Sequence, residues 1–235
     1  MSYKTELHCH TGEVSDCATE TAEFIADRYA QCGYSSVVIT NHLSIFTFDG
    51  SRHKYSGGDS WEEKIAYFMN GVDVMKKASA GRFNVLWGVE LRCEPDGGND
   101  YLIYGVDVDF LLNYPDILYT PIYQVAERVH EVGGLIYQAH PFRNGMRVKK
   151  PVGFDGVEVY NGHVGHDSRN PIAMLWAETY GLKKISGSDF HHAYQTPTGG
   201  IITEEPIFNN KQLVSVLKNG NYTPLHAGEL PVQDK

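Results

Sequence analysis

The chain has 235 residues, 42% of them hydrophobic, which is enough to bury a sizeable core. It carries 20 basic and 29 acidic residues, a net charge of −9, and such an acidic surface argues against a long nucleic-acid partner. No stretch of about 18 consecutive apolar residues is present, which excludes a membrane-spanning helix, and the four cysteines form no C-x-x-C pair.

Residues 1–7 lack the basic start and apolar run of a leader, so a cytoplasmic protein is expected. Residues 3–8 read as a strand. Residues 19–31 read as a helix, with Ala22, Ile25, Ala26 and Tyr29 on one face and Gly33 as its stop. A short buried strand follows at 36–40. The stretch 46–60 is rich in Gly, Ser and Asp and reads as a surface excursion or a lid. A long amphipathic helix spans 61–78, followed by strands at 83–91 and 101–106. A helix over 121–132 has Pro at its start and Gly133-Gly134 at its end. Then come strands at 135–139 and 156–160, a helix at 171–180, a strand at 184–187 and a last helix at 210–217. About seven strands alternate with helices, which implies parallel pairing through right-handed crossovers. The expected fold is a single α/β barrel domain over residues 1–235.

The ionisable residues fall in a pattern. His8 and His10 follow the first strand, His42 the second, and Glu90 ends the third. His140 follows the strand at 135–139, and Asp189 and His191 follow the strand at 184–187. In a parallel barrel those strand ends meet on one face, where active sites are built. His8 and His10, two apart on an extended chain, point the same way and can reach one ion. A shell of imidazole and carboxylate suits Zn, Mn or Fe better than Mg or Ca. Cys9 and Cys17 lie nearby and read as small packing residues. His163, His166 and His192 read as neighbours of the site rather than ligands. Glu158 and Asn161 read as residues that orient ligands or shape the barrel mouth. His53, His130 and His226 read as surface histidines.

The segments Glu6-Leu-His8-Cys-His10-Thr11, Thr40-Asn41-His42, Gly88-Val-Glu90, Ala139-His140-Pro141-Phe142-Arg143 and Gly187-Ser-Asp189-Phe-His191 stand in the order of the PHP (polymerase and histidinol phosphatase) family. Gly156-Val-Glu158-Val-Tyr160-Asn161-Gly162 is similar to another of its segments. The resemblance runs from residue 6 to about residue 200. It implies a distorted (β/α)7 TIM-like barrel with a trinuclear metal centre, and two or three divalent ions are expected in this chain. Carried over, it assigns His8, His10, Glu90 and Asp189 to a first ion and Asp16, His42 and His191 to a second. It makes Glu90 a bridge that, with His140, also holds a third. Where many relatives have a His before the next strand, this chain has Asn99-Asp100, and Asp100 is the expected substitute.

These expectations describe a metal-dependent phosphoesterase acting on a small phosphorylated molecule, such as histidinol phosphate, a nucleotide or a sugar phosphate. Two ions would share a hydroxide that attacks phosphorus in line. Glu90 and Asp189 would organise the reacting centre, and Arg143, on the loop of His140, would clamp phosphate oxygens through its planar fork. One alternative is an amidohydrolase-like C–N hydrolase, which usually needs a carboxylated lysine at a strand end; none is visible. Another is a non-catalytic metal-binding regulatory module, against which the near-complete ligand set argues.

Overall fold

The computed structural model describes residues 2–50 and 54–227. The chain begins with a parallel β-α-β unit: β1 (Tyr3–Cys9), α1 (Ala22–Gln31) and β2 (Tyr34–Ile39). Thr21 caps α1, and Ala22, Ile25, Ala26 and Tyr29 are its buried stripe, as the spacing predicts. The two-residue β3 (His42–Leu43) precedes α2 (Trp61–Ser79), which opens on a capping box formed by Ser60 and Glu63. Next come β4 (Asn84–Leu91), β5 (Tyr101–Tyr104), α3 (Val108–Asn113), α4 (Ile122–Glu131) and β6 (Leu135–Gln138). The chain continues through β7 (Gly156–Asn161), α5 (Asn170–Thr179), β8 (Lys183–Gly187), β9 (Ile201–Thr203), α6 (Asn210–Asn219) and β10 (Thr223–Pro224).

The strands form one sheet in the order β10-β9-β1-β2-β4-β5-β6-β7-β8, with β3 beside β4. Its far end returns to β1: Cys9 bridges Phe190 in parallel, and the Asp189 amide donates to the His8 carbonyl at 2.9 Å. The sheet is thereby nearly closed, the distorted α/β barrel expected from the sequence. Helices α1 and α2 pack Ile25, Ala26 and Met75 against Val37 and Ile39 of β2. A separate cluster joins Leu7, Val38, Leu86, Tyr104, Tyr137 and Ile185 from six strands to Leu213 and Leu217 of α6.

All-parallel pairing does not hold. β5 runs antiparallel to both β4 and β6. Only the residues from Arg92 to Asp100 connect β4 to β5, too few for the dozen or more that a parallel crossover needs. The reversal matters for the site. It puts the start of β5, not its end, beside the ends of β4 and β6, so Asp100 arrives on the same barrel face as Glu90 and His140. The Asp100 carbonyl accepts the Ala139 amide at 3.0 Å.

Within the stretch 46–60, residues 51–53 lie outside the described residues, His53 among them. Around them Tyr55 is buried, with its ring edge-on to Phe48 and Tyr67. Lys54 donates its amide to Asp16 Oδ1 at 3.0 Å. His130 is on the surface, 2.9 Å from Asp155. Among the described residues, no helix is long and apolar enough to cross a membrane.

Candidate metal centre

Glu6 fixes the chain where β1 turns from structure to chemistry. It is fully buried, and its Oε1 accepts the amides of Leu7, His8 and Ser188 at 2.9 to 3.0 Å while Oε2 accepts the Tyr29 hydroxyl at 2.9 Å. The register of β1 against β2 slips between Glu6 and Cys9. Leu7 therefore packs with the strand residues of the barrel, Cys9 packs against α1, and His8 and His10 reach the same cluster. Gly187 lies so close that a Cβ there would meet His8 Cβ at 2.3 Å and Glu158 Oε1 at 2.6 Å. Asp189 and His140 adopt positive φ (49° and 26°), rare for residues with a side chain. Such strain is characteristic of sites where the surrounding structure dictates side-chain aim.

Glu90 is the hub. Its Oε2 lies 2.9 Å from His42 Nδ1, 3.2 Å from His10 Nε2 and 3.3 Å from His8 Nε2, and its Oε1 is 3.1 Å from His140 Nε2. Asp189 Oδ1 sits 3.3 Å from His10 Nε2 and His191 Nδ1 and 3.4 Å from His8 Nε2. The imidazoles are aimed from behind. His8 Nδ1 is 2.8 Å from Glu158 Oε1, and the other Glu158 oxygen accepts the His140 amide at 2.8 Å and Asn161 Nδ2 at 3.0 Å. His10 Nδ1 is 3.2 Å from Ser15 Oγ, which donates to Asn41 Oδ1 at 3.1 Å. Outer partners of this kind set the tautomer and direction of metal-binding histidines. The expectation that Glu158 and Asn161 orient ligands matches this geometry.

Burial and charge act together here. Burial opposes the charged imidazole of His8, yet Asp189, Glu90 and Glu158 hold its pKa well above the usual 6.5. His42 is raised in the same way by Glu90 and Cys17 against its burial. Burial would raise Glu90 and Asp189, but facing imidazoles, chiefly His42 and His8 for Glu90 and His8 and His191 for Asp189, keep both well below the normal carboxylate range. His10 is lowered by burial and by His191 and His42.

The set fits divalent cations. His8 Nε2, His10 Nε2, Glu90 Oε2 and Asp189 Oδ1 are buried without a hydrogen-bond partner, a costly state unless something else satisfies them. Ligand atoms of His8, His10, Glu90 and Asp189 lie within 4.8 Å of one another; so do those of His10, His42 and His191, and those of His42, Glu90 and Asp100. Metal uptake should therefore release protons. In metal-free protein at neutral pH, His8 and His42 carry protons that ligation must displace. Their folded pKa values lie above the unfolded one. Their ion pairs thus stabilise the metal-free fold fully below about pH 6.5 and fade as pH rises through the raised values, while metal affinity climbs over that range. Calorimetric titration with Mn²⁺ in two buffers of different ionisation enthalpy should show proton release. A heat independent of buffer would contradict it.

Two expected residues sit differently. Asp16 lines the same cavity but stands outside the three ligand groups, and its Oδ1 accepts the Lys54 amide. Its neighbour Cys17 is nearer the cluster: Sγ is 3.1 Å from His191 Nε2. Desolvation pushes this thiol up, and the His42 and His10 imidazoles more than reverse that. Cys17 is thus no packing residue, whereas Cys9 is fully buried beside α1 as expected. Asp100 is in the cluster, but both its oxygens accept Arg92 at 2.7 Å. Arg143 reaches the same carboxylate at 3.3 Å and lines the cavity.

Four residues of the cluster, His42, His140, Asp189 and His191, line a cavity of about 510 Å³. His163, His166 and His192 line its rim with Phe46, and Arg92 and Arg143 line its wall. The His163 and His166 rings stack at 4.4 Å. His166 Nε2 is buried without a hydrogen-bond partner, 3.6 Å from Asp189 Oδ2. Burial lowers His163 to about 4, against the pull of Asp189. Arg92 was missed in the sequence, although it stands two residues beyond Glu90 and so on the same side of an extended chain.

No family model and no curated protein matches the chain. Solved structures do. One is a two-domain protein from Bacteroides vulgatus containing a predicted PHP-like metal-dependent phosphoesterase, 16% identical with a TM-score of 0.65. The match covers 96% of this chain, which spans only 65% of that protein's length. An amidohydrolase from Chromobacterium violaceum, solved with bound sulfate and no metal, is 15% identical with a TM-score of 0.57 over 96% of this chain and 99% of its own. The lesion-specific endonuclease EndoQ from Pyrococcus furiosus is 14% identical with a TM-score of 0.61 over 95% of this chain and 58% of its own. At such identities the likeness establishes the fold, and it is the fold that the PHP resemblance implies.

Proposed function

We propose that the chain is a metal-dependent phosphoesterase whose substrate is a small molecule bearing a phosphate monoester. The observation that carries this reading is the convergence of His8, His10, His42 and His140 on Glu90 at 2.9 to 3.3 Å, beside a wall of two arginines. Divalent ions held by His8, His10, His42, Glu90, His140, Asp189 and His191 would supply an activated water and neutralise phosphate charge. The chain's own residues do the rest. Glu158, Ser15 and Asn41 hold the imidazoles in register. Arg143 and Arg92 present N–H donors to phosphate oxygens, where charge must be offset for a reaction that is very slow without a catalyst. Of the imidazoles lining the cavity, His166, 3.6 Å from Asp189 Oδ2, is the candidate to pass a proton to the leaving group, since His163 is held neutral by its burial.

The amidohydrolase reading shares the fold of one neighbour, but no lysine is among the described residues lining the cavity. Glu90, on a strand end, holds the central place instead. A duplex DNA substrate suits the acidic chain poorly. The experiment is a panel on Mn²⁺- or Zn²⁺-loaded protein: sugar, nucleoside and amino-alcohol phosphates, N-acyl amides, and a duplex with an abasic site. Release of inorganic phosphate from a small monoester is the expected result. Turnover confined to amides or duplex DNA would replace this reading.

A further inference from the structure

Asp100 is wholly buried, and Arg92 takes both of its oxygens. Arg92 donates Nε–H to Oδ1 and Nη2–H to Oδ2, each at 2.7 Å, and Arg143 Nη2 adds a longer contact to Oδ2 at 3.3 Å. The same carboxylate belongs with His42 and Glu90 to a group of possible ligands, and Oδ2 is 3.8 Å from His140 Nε2. An ion held by Glu90, His140 and Asp100 would therefore compete with the Arg92 guanidinium for one carboxylate. The guanidinium has the advantage. It is covalently attached, always charged, and already in the two-pronged geometry that makes arginine–carboxylate pairs strong. To seat an ion on Asp100, a buried bidentate pair must break and leave a partly buried cation without its anion, a costly exchange.

Resting on the phosphoesterase reading for its ligand, we propose that Arg92 stands in place of a third metal ion. The centre then holds two ions, and Arg92 and Arg143, anchored on Asp100, form the wall that receives the non-bridging oxygens of a phosphate. Asp100 occupies one edge of the Arg92 fork and leaves its other N–H donors unused by that carboxylate. Both arginine side chains are about a quarter exposed and line the cavity. Two guanidiniums and one carboxylate leave the wall with a net positive charge facing the metal cluster. A fixed guanidinium does not exchange ligands as an ion does. It binds phosphate by direction and charge, and it makes the site's need for added metal smaller.

The test counts ions and measures affinity for inorganic phosphate on the full chain, by Mn²⁺ titration with elemental analysis and by calorimetry. Wild type should saturate at about two equivalents. Arg92→Met frees Asp100 and should take up about one more. Arg92→Lys keeps a cation beside Asp100, and so preserves the fold, but loses the fork. It should retain about two equivalents and bind inorganic phosphate at least about tenfold more weakly, ~1.4 kcal/mol. Wild type saturating at three equivalents overturns the proposal. So does Arg92→Lys binding phosphate as tightly as wild type. If Arg92→Met does not fold, the wild-type count and the Arg92→Lys affinity still decide. If the counts behave as expected but wild type does not bind phosphate, the substitution for the ion stands and the phosphoesterase reading falls.

Discussion

Glu90→Gln is expected to lower kcat/KM for a phosphomonoester by about 10³-fold or more, ~4 kcal/mol, and to reduce bound metal. The substitution keeps the shape and removes the charge. Glu90 faces four imidazoles, three through Oε2 and one through Oε1. It also belongs to two of the three ligand groups. An amide there offers one neutral acceptor and turns N–H donors toward ring nitrogens or ions, so the four imidazoles that converge on it lose their common anion. Any one histidine change removes a single donor and leaves the carboxylate to hold what remains. His8→Ala, at a residue of one ligand group, and His140→Ala should therefore lose less, both in turnover and in metal content. Near-normal turnover of Glu90→Gln, with full metal loading, would remove Glu90 from the centre of the site.

Arg143→Ala is expected to leave metal content unchanged and to lower kcat/KM by the equivalent of about 2–4 kcal/mol, the scale for one preorganised electrostatic donor. Arg143 is outside the ligand groups and on the cavity wall. Its backbone amide donates to the His140 carbonyl at 3.0 Å, which ties its loop to the metal-facing strand end. Arg143→Lys should recover part of the loss, because a point charge replaces a fork. A purely structural ion pair with the buried Asp100 would behave otherwise, lowering stability and leaving the rate nearly unchanged. Unchanged kinetics in Arg143→Ala would reject the clamp and shift phosphate binding to Arg92 or His192.

Much of this was legible in the sequence because barrel strands end where chemistry begins. His8, His10, His42, Glu90, His140, Asp189 and His191 each follow or close an apolar run, and all meet at one cluster. Helix limits followed where glycine or proline marks them, as at Gly33 and Pro121, whereas α1 starts at Ala22 rather than at residue 19. What escaped has physical reasons. β3, β9 and β10 are two or three residues long, too short for an alternation to show. The reversal of β5 could have been read from its short connection to β4, whose length excludes a parallel crossover. Asp16 and Cys17 are adjacent on a turn rather than a strand, so spacing alone does not say which of them faces the histidines. In the fold Cys17 meets His191, and Asp16 meets the Lys54 amide. The role of Asp100 depends on Arg92, and a buried ion pair across a chain reversal has no sequence signature.

The most direct test of the metal-centred account is elemental analysis of the purified protein, before and after chelation, with phosphomonoesterase activity followed in the same samples. The account predicts more than one transition-metal equivalent per chain, loss of metal and activity together on chelation, and their joint return on adding Mn²⁺ or Zn²⁺. Trace metal with no uptake on titration, or activity that survives complete removal, would contradict it.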